Sequence, residues 1–180
     1  MTRTFLGDGI YIAQRDFQQI LLRGKGDGRF AETVNGEISL LPPKDNLRMI
    51  SNENFLFAKQ SFDQWSLICL KNKDDEELSK IINTMNSNDE LLASDCSYGQ
   101  VYFEFSGDKM KDYLNKLTHF DFRSKKFPSL TIAQTLIARI DCTIYNLEDK
   151  YLITCNKSYE DCFRHGIYSN SRYAKLFYNL

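Results

Sequence analysis

DCSYGQVYFEFSGDKMKDYLNKL, residues Asp95 to Leu117, is the stretch whose reading decides the fold. Val101, Phe103 and Phe105 alternate with Tyr102 and Glu104, the pattern of a strand with one apolar face. Ser106-Gly107 ends that strand. Met110, Tyr113, Leu114 and Leu117 then recur at helical spacing, with Lys109, Lys111, Asp112, Asn115 and Lys116 on the wet side. Ser106 is the expected N-cap. A strand that runs through serine and glycine into a helix is a place where phosphates and folded cofactors bind. It is also a plain joint in a scaffold, and the rest of the chain has to separate the two.

Downstream, Ala138, Ile140, Cys142 and Ile144 alternate with Arg139, Asp141, Thr143 and Tyr145, which reads as a long strand. A turn over Asn146 to Asp149 leads into Tyr151 to Cys155, a hairpin pattern. Ser158-Tyr159-Glu160-Asp161 reads as a capping box before a last helix around Phe163 and Ile167. Upstream, Phe17 to Arg23 reads as a strand ending at Gly24, followed by a short helix carrying Phe30, Val34 and Ile38 that must stop before Pro42-Pro43. Phe55 to Ala58 and Trp65 to Leu70 form a second hairpin. Asp74-Asp75-Glu76-Glu77 puts negative charge at the start of a helix whose buried stripe is Leu78, Ile81, Ile82 and Met85.

Each half therefore reads strand, helix, strand, strand, helix. Ser106 follows Arg23 by about 83 residues and Phe163 follows Leu78 by about 85, a spacing suited to a duplicated lobe rather than a solenoid. The expected fold is α+β, with two similar ferredoxin-like halves at residues 1–88 and 89–180 packed as one globular unit. Asn86-Ser87-Asn88-Asp89 is the expected seam. The strand-glycine-helix joint occurs once per half, and this repetition favours the scaffold reading.

At 180 residues the chain can bury roughly 70% of its unfolded surface, enough for its own core. The hydrophobic fraction of 42% argues against disorder, and a net charge of -1 gives no general attraction for nucleic acid or anionic lipid. No apolar run has the length of a signal peptide or membrane span, so a cytoplasmic protein is expected. Five cysteines without a C-x-x-C motif suggest reduced thiols.

Few residues suggest chemistry. RGKGDGR, Arg23 to Arg29, matches no phosphate-binding glycine pattern and reads as a tight connection that needs positive φ. Cys155, Cys162 and His165 could share a face, but a tetrahedral zinc site needs a fourth ligand that the neighbourhood lacks. His119 and Asp121 could pair, with no serine or cysteine linked to them. Glu104, Asp141 and Arg139 fall on strand faces away from the apolar pattern, facing water or a groove between lobes. Arg123-Ser124-Lys125-Lys126 reads as a solvated loop or an acidic docking point. Trp65, the only tryptophan, is either core or an interface anchor. No catalytic, cofactor-binding or metal residue is assigned. RNA binding through Tyr102 and Phe103 is opposed by the charge and by the missing motif.

Taken in order, these motifs resemble those of the gamma subunit of heterotetrameric sarcosine oxidase. Asp95 and Ser97 precede the strand and Ser106-Gly107 opens the helix; FDF at Phe120 to Phe122, Phe127-Pro128, Gln134-Thr135-Leu136 and Ser158 follow. Asp121 lies between phenylalanines where that family has leucines, and Lys59-Gln60 replaces its Gly-Pro. The resemblance extends to the folate-binding module of the glycine-cleavage aminomethyltransferase. It implies a non-catalytic subunit of a complex that oxidises sarcosine to glycine, hydrogen peroxide and a one-carbon unit. FAD, FMN, NAD and tetrahydrofolate are then expected on partner subunits, which position and tune the flavin. The implied partners are the alpha, beta and delta subunits, chiefly the large alpha subunit, without nucleic acid or membrane; the isolated chain could form a homodimer. The alternative is a freestanding tetrahydrofolate-binding protein using Glu104, Tyr102 and Arg139.

Overall fold

The chain opens with two strands where the sequence shows no strong pattern: β1 (Arg3–Gly7) and β2 (Ile10–Arg15). The computed structural model describes residues 3–7 and 9–169. After these come β3 (Gln18–Arg23), α1 (Gly28–Ile38), β4 (Met49–Ser51), β5 (Phe55–Lys59), β6 (Gln64–Cys69), α2 (Asp75–Asn86) and β7 (Leu92–Asp95). Then follow β8 (Gln100–Ser106), α3 (Met110–Leu114), β9 (Ile132–Ile137), β10 (Ile140–Asn146), β11 (Lys150–Asn156) and α4 (Glu160–Ser169). The fold is α+β with two lobes, each an antiparallel sheet carrying two helices.

One sheet has strand order β4-β5-β6-β3-β7; the other reads β9-β10-β11-β8-β2-β1. Apart from the added β1 the two orders correspond strand for strand. Each repeat runs strand, strand, helix, three-strand meander, helix: β2 to α2, then β7 to α4. The leading strand of each repeat joins the other repeat's sheet, since β2 pairs with β8 and β7 pairs with β3.

This exchange moves the lobe boundary. Among the described residues, one compact unit holds those up to Asp16 and those from Gly99 to Ser169, and the other is Phe17–Tyr98. The expected division at 88/89 follows the repeat instead, because sequence reading assigns β2 and β7 to their chain neighbours. The expected seam is not a linker. Asn86 exchanges two hydrogen bonds with the Ala93 backbone, 2.9 and 2.7 Å, and fixes α2 against β7.

In the first unit Met110, Tyr113, Leu114, Phe163 and Ile167 pack on Val101, Phe103, Phe105, Ile144 and Ile153. In the second, Phe30, Val34, Ile38, Leu78 and Met85 cover Ile20, Leu22, Phe57, Trp65 and Leu67. The opposite sheet faces also bury residues, among them Leu56, Ala58, Ile68, Tyr102, Tyr145 and Leu152. Doubly buried strands lose their alternation, which is why FLFA and WSLIC read as continuous apolar runs.

Three local expectations are corrected. Ala138 and Arg139 do not belong to a strand; both take positive φ, 49° and 68°, and form the two-residue turn between β9 and β10. Ser106 is the last residue of β8, and α3 begins only at Met110 with Lys109 at its N-cap position. The cap before α4 is Asn156, whose Oδ1 accepts from Ser158 N at 2.9 Å and Ser158 Oγ at 2.8 Å. The acidic start of α2 is as read: Asp74 is its N-cap and accepts from Glu77 N at 2.8 Å. Among the described residues no helix is long and apolar enough to cross a membrane.

Candidate functional site

The strand-glycine-helix joints are the first places to test for a ligand cradle. Gly107 has φ +109°, and a Cβ built on it would stand 1.8 Å from the Gly9 carbonyl oxygen. Gly24 has φ +153°; its Cβ would stand 2.5 Å from the Glu90 carbonyl oxygen and 2.5 Å from the Phe30 ring. The Cβ direction at each joint is thus filled by protein, while Arg23 and Gly24 also border an open cleft of about 460 Å³ with Asn86, Asn88 and Glu90. The closing atom in each is a carbonyl oxygen, whose partial charge has the wrong sign for a phosphate. An anion site needs convergent N–H groups there.

Within RGKGDGR, Gly24 and Gly26 lie against Trp65. That side chain is 1% exposed, stacks on Phe57 with centroids 5.4 Å apart, and donates from Nε1 to the Gly24 carbonyl at 3.0 Å. Trp65 is therefore a core residue. Gly26 is where the loop crosses the indole: its Cβ would meet Trp65 at 2.3 Å.

Glu104 in the first unit is held by two cations. Arg15 reaches its Oε1 at 2.8 Å and Lys150 its Oε2 at 3.2 Å, and the carboxylate is 13% exposed. Burial opposes ionisation, but the hydrogen bond from Arg15 and the charge of Lys150 outweigh it and hold the carboxyl below its ordinary range. With one cation on each oxygen, this carboxylate is committed to structure rather than to proton transfer. A second network binds α4 to β2. Glu160 accepts from Gln14 at 2.8 Å and from Arg164 at 2.7 Å, and pairs with Lys157 at 2.5 Å. The hydrogen bond from Lys157 is the main reason its carboxyl falls to about 2.

The other sequence candidates are dispersed. Cys155 is buried and Cys162 exposed, so neither joins His165 in a ligand set; among the described residues no three His, Cys, Asp or Glu side chains gather to hold a metal. Asp121 binds Arg123 through Nε and Nη2, at 2.9 and 2.5 Å, which holds its carboxyl near about 2. Glu104 lines up in register with Leu152 and Tyr145, at the far end of β10 from Arg139. Tyr102 and Phe103 are each 1% exposed, so neither offers a ring to a nucleobase. Asp141 does face outward. It lines a cleft of about 660 Å³ with Gln100, Gln134, Leu136, Thr143 and Asn156. That lining supplies amides, hydroxyls, one carboxylate and two cysteines, Cys142 and Cys155, with no histidine or lysine among them to act as a base.

The family-like motifs have structural explanations here. Asp95 accepts from Ser97 N at 2.9 Å and Ser97 Oγ at 2.5 Å, and Ser97 Oγ accepts from Gln19 N at 3.1 Å. This fixes the chain where it leaves β7 for β8. Asn156 and Ser158 repeat the same turn before α4. Phe120, Phe122 and Phe127 pack edge to face, centroids 5.0 to 6.2 Å apart, and Phe122 and Phe127 rest on Tyr151. At the Lys59-Gln60 departure, Gln60 closes the hairpin by bonding Gln64 through backbone and side chain. Sequence reading missed Arg15 and Lys150 as partners of Glu104. Strand alternation places all three on one face once β2 is recognised as a strand.

The sarcosine oxidase, gamma subunit family matches residues 23–172. The chain belongs to that family. The fold is similar to that of a chain of the heterotetrameric sarcosine oxidase from Corynebacterium sp. U-96 in complex with pyrrole 2-carboxylate, with a TM-score of 0.77 at 14% identity, over 89% of this chain and 83% of that one. The glycine cleavage system aminomethyltransferase T from Bartonella henselae superposes at 0.63 and 10% identity, over 87% of this gamma-subunit family member. The match spans 44% of that longer chain. No curated protein matches in sequence.

Proposed function

We propose that this chain is the non-catalytic gamma subunit of a heterotetrameric, flavin-dependent sarcosine oxidase, supporting assembly with the large alpha subunit alongside beta and delta. In this reading FAD, FMN, NAD and tetrahydrofolate sit on the partner subunits, and the complex converts sarcosine to glycine, hydrogen peroxide and a one-carbon unit. The family match over residues 23–172 carries the proposal. Further support comes from the protein-filled Cβ direction at each joint and from Glu104, whose two oxygens are occupied by Arg15 and Lys150.

Co-expression of the four subunits with and without this chain tests it. Omission should abolish isolation of the tetramer and its peroxide-forming activity on sarcosine. Unchanged assembly and full activity would refute the proposal. The freestanding folate-binding reading rests on the likeness to aminomethyltransferase T, which is one of fold. Calorimetric titration of the isolated chain with tetrahydrofolate separates the two, and we expect no heat of binding.

A further inference from the structure

Cys142 on β10 and Cys155 on β11 are direct partners across the antiparallel pair. Both belong to the core beneath α3 and α4, and each thiol is the largest influence on the other's ionisation. Their exposures are 4% and 2%, yet each lies beside an exposed residue, Asp141 and Asn156 respectively, and Asn156 is the last residue of β11. The pair lies near the end of β11 on two interior strands, Cys142 also opposite Thr135 and Cys155 also opposite Val101. Cys69, Cys96 and Cys162 lie on neither strand.

We propose that Cys142 and Cys155 form a reversible disulfide, an oxidation site for hydroperoxides independent of the subunit role above. Opposed side chains in an antiparallel pair have Cβ atoms about 4.5–5.5 Å apart, and a disulfide needs about 3.5–4.5 Å. Closing the bond therefore requires the two strands to approach by roughly 1 Å. Proton placement assigns the order of events. The Cys142 side chain lowers the Cys155 thiol, against burial and the Glu160 charge; the Cys155 side chain, together with burial, pushes Cys142 up. Cys155 is accordingly the thiol of the pair that ionises first.

Its sulfur attacks one hydroperoxide oxygen. The S–O bond forms as O–O breaks, leaving a sulfenic acid while the departing oxygen takes up a proton as water or an alcohol. Cys155 then carries no charge, and the largest cause of the raised Cys142 value is gone. Cys142 Sγ attacks Cys155 Sγ, S–S forms as S–O breaks, and the leaving hydroxide takes the Cys142 proton as water. Two thiols are oxidised and one hydroperoxide is reduced. A thiol reductant reverses the bond.

The test uses the full wild-type chain, reduced and then exposed to hydrogen peroxide while circular dichroism shows it folded. Remaining thiols are alkylated after denaturation, and the unreduced digest is mapped by mass spectrometry. The expected result is a cross-linked peptide pair holding Cys142 and Cys155, absent after dithiothreitol, with Cys69 still alkylated. In Cys142→Ser the reaction should stop at a Cys155 sulfenic acid that dimedone traps. Full alkylation of both cysteines after peroxide, or higher oxidation of either without a cross-link in the wild type, overturns the proposal whether or not the variant folds.

Discussion

Replacing Gly107 with alanine tests the closed joint most directly. The backbone φ of +109° is one that side-chain-bearing residues rarely adopt, and forcing an alanine there costs about 1–3 kcal/mol. The new Cβ would also lie 1.8 Å from the Gly9 carbonyl oxygen and 2.9 Å from its carbon, so the β1–β2 turn must move; overpacking of this kind costs about 1–3 kcal/mol. Together the loss is roughly 3–5 kcal/mol, a large share of the ~5–15 kcal/mol that holds a typical domain folded. Urea titration followed by far-ultraviolet circular dichroism should show the midpoint falling by about 2 M at an m-value near 2 kcal/mol/M. Gly36 supplies the control. It lies exposed in α1 with nothing within 4 Å of its built Cβ, so Gly36→Ala should stabilise by about 0.5–1 kcal/mol through helix propensity. A Gly107→Ala loss below 1 kcal/mol, or a shift in the same direction as the control, refutes the reasoning.

Trp65→Ala should cost about 3–5 kcal/mol by leaving a cavity between Phe30 and Phe57 and an unpaired Gly24 carbonyl, read from the same titration. Glu104→Ala leaves Arg15 and Lys150 facing each other with no anion between them. A loss of about 2 kcal/mol is expected, and Glu104→Gln should recover part of it. Glu160 titrates near about 2 in the folded chain against about 4.3 unfolded, so its contribution is complete above the unfolded value and is lost as pH falls through the folded one. Thermal melts between pH 5 and pH 2 should therefore fall less steeply for Glu160→Gln than for the wild type, once the variant's lower stability at pH 7 is subtracted.

The parts of the fold legible in the sequence are those where one residue pattern meets one local solution. Val101 to Phe105 alternates because one face packs under α3 and α4, and Asp74 precedes an amphipathic stripe, so β8 and α2 stand where they were read. The β9–β10 turn was illegible for a definite reason. It places positive φ on Ala138 and Arg139 rather than on glycine or asparagine, and Ala138 continues the alternation of β10 without a break. The partners of Glu104 were hidden for another. Arg15 reaches it only because β2 pairs with β8, and pairing across so long a stretch of chain leaves no trace in local periodicity. The Cys142–Cys155 opposition is legible only in part: both residues fall on one expected hairpin, but its register depends on the turn over Asn146 to Asp149.

The exchange of leading strands also explains why the two joints are closed in the same way. Gly9 immediately precedes β2, and Glu90 lies just before β7. These strands are the ones each repeat delivers to the other's sheet, and the carbonyls entering them are the atoms that fill the glycine joints of β8 and β3. The arrangement therefore recurs with different side chains, Ser106-Gly107 in one joint and Arg23-Gly24 in the other, because backbone rather than side chain supplies the contact. To open either joint to a phosphate or a folded cofactor, the chain would have to draw back the start of β2 or β7. That would loosen the pairs Tyr11–Ser106 or Leu92–Arg23 at the end of the sheet. Side-chain divergence between repeats can adjust a pocket, but it cannot remove a backbone carbonyl that leads into a paired strand, and this is why the same contact stands at both joints.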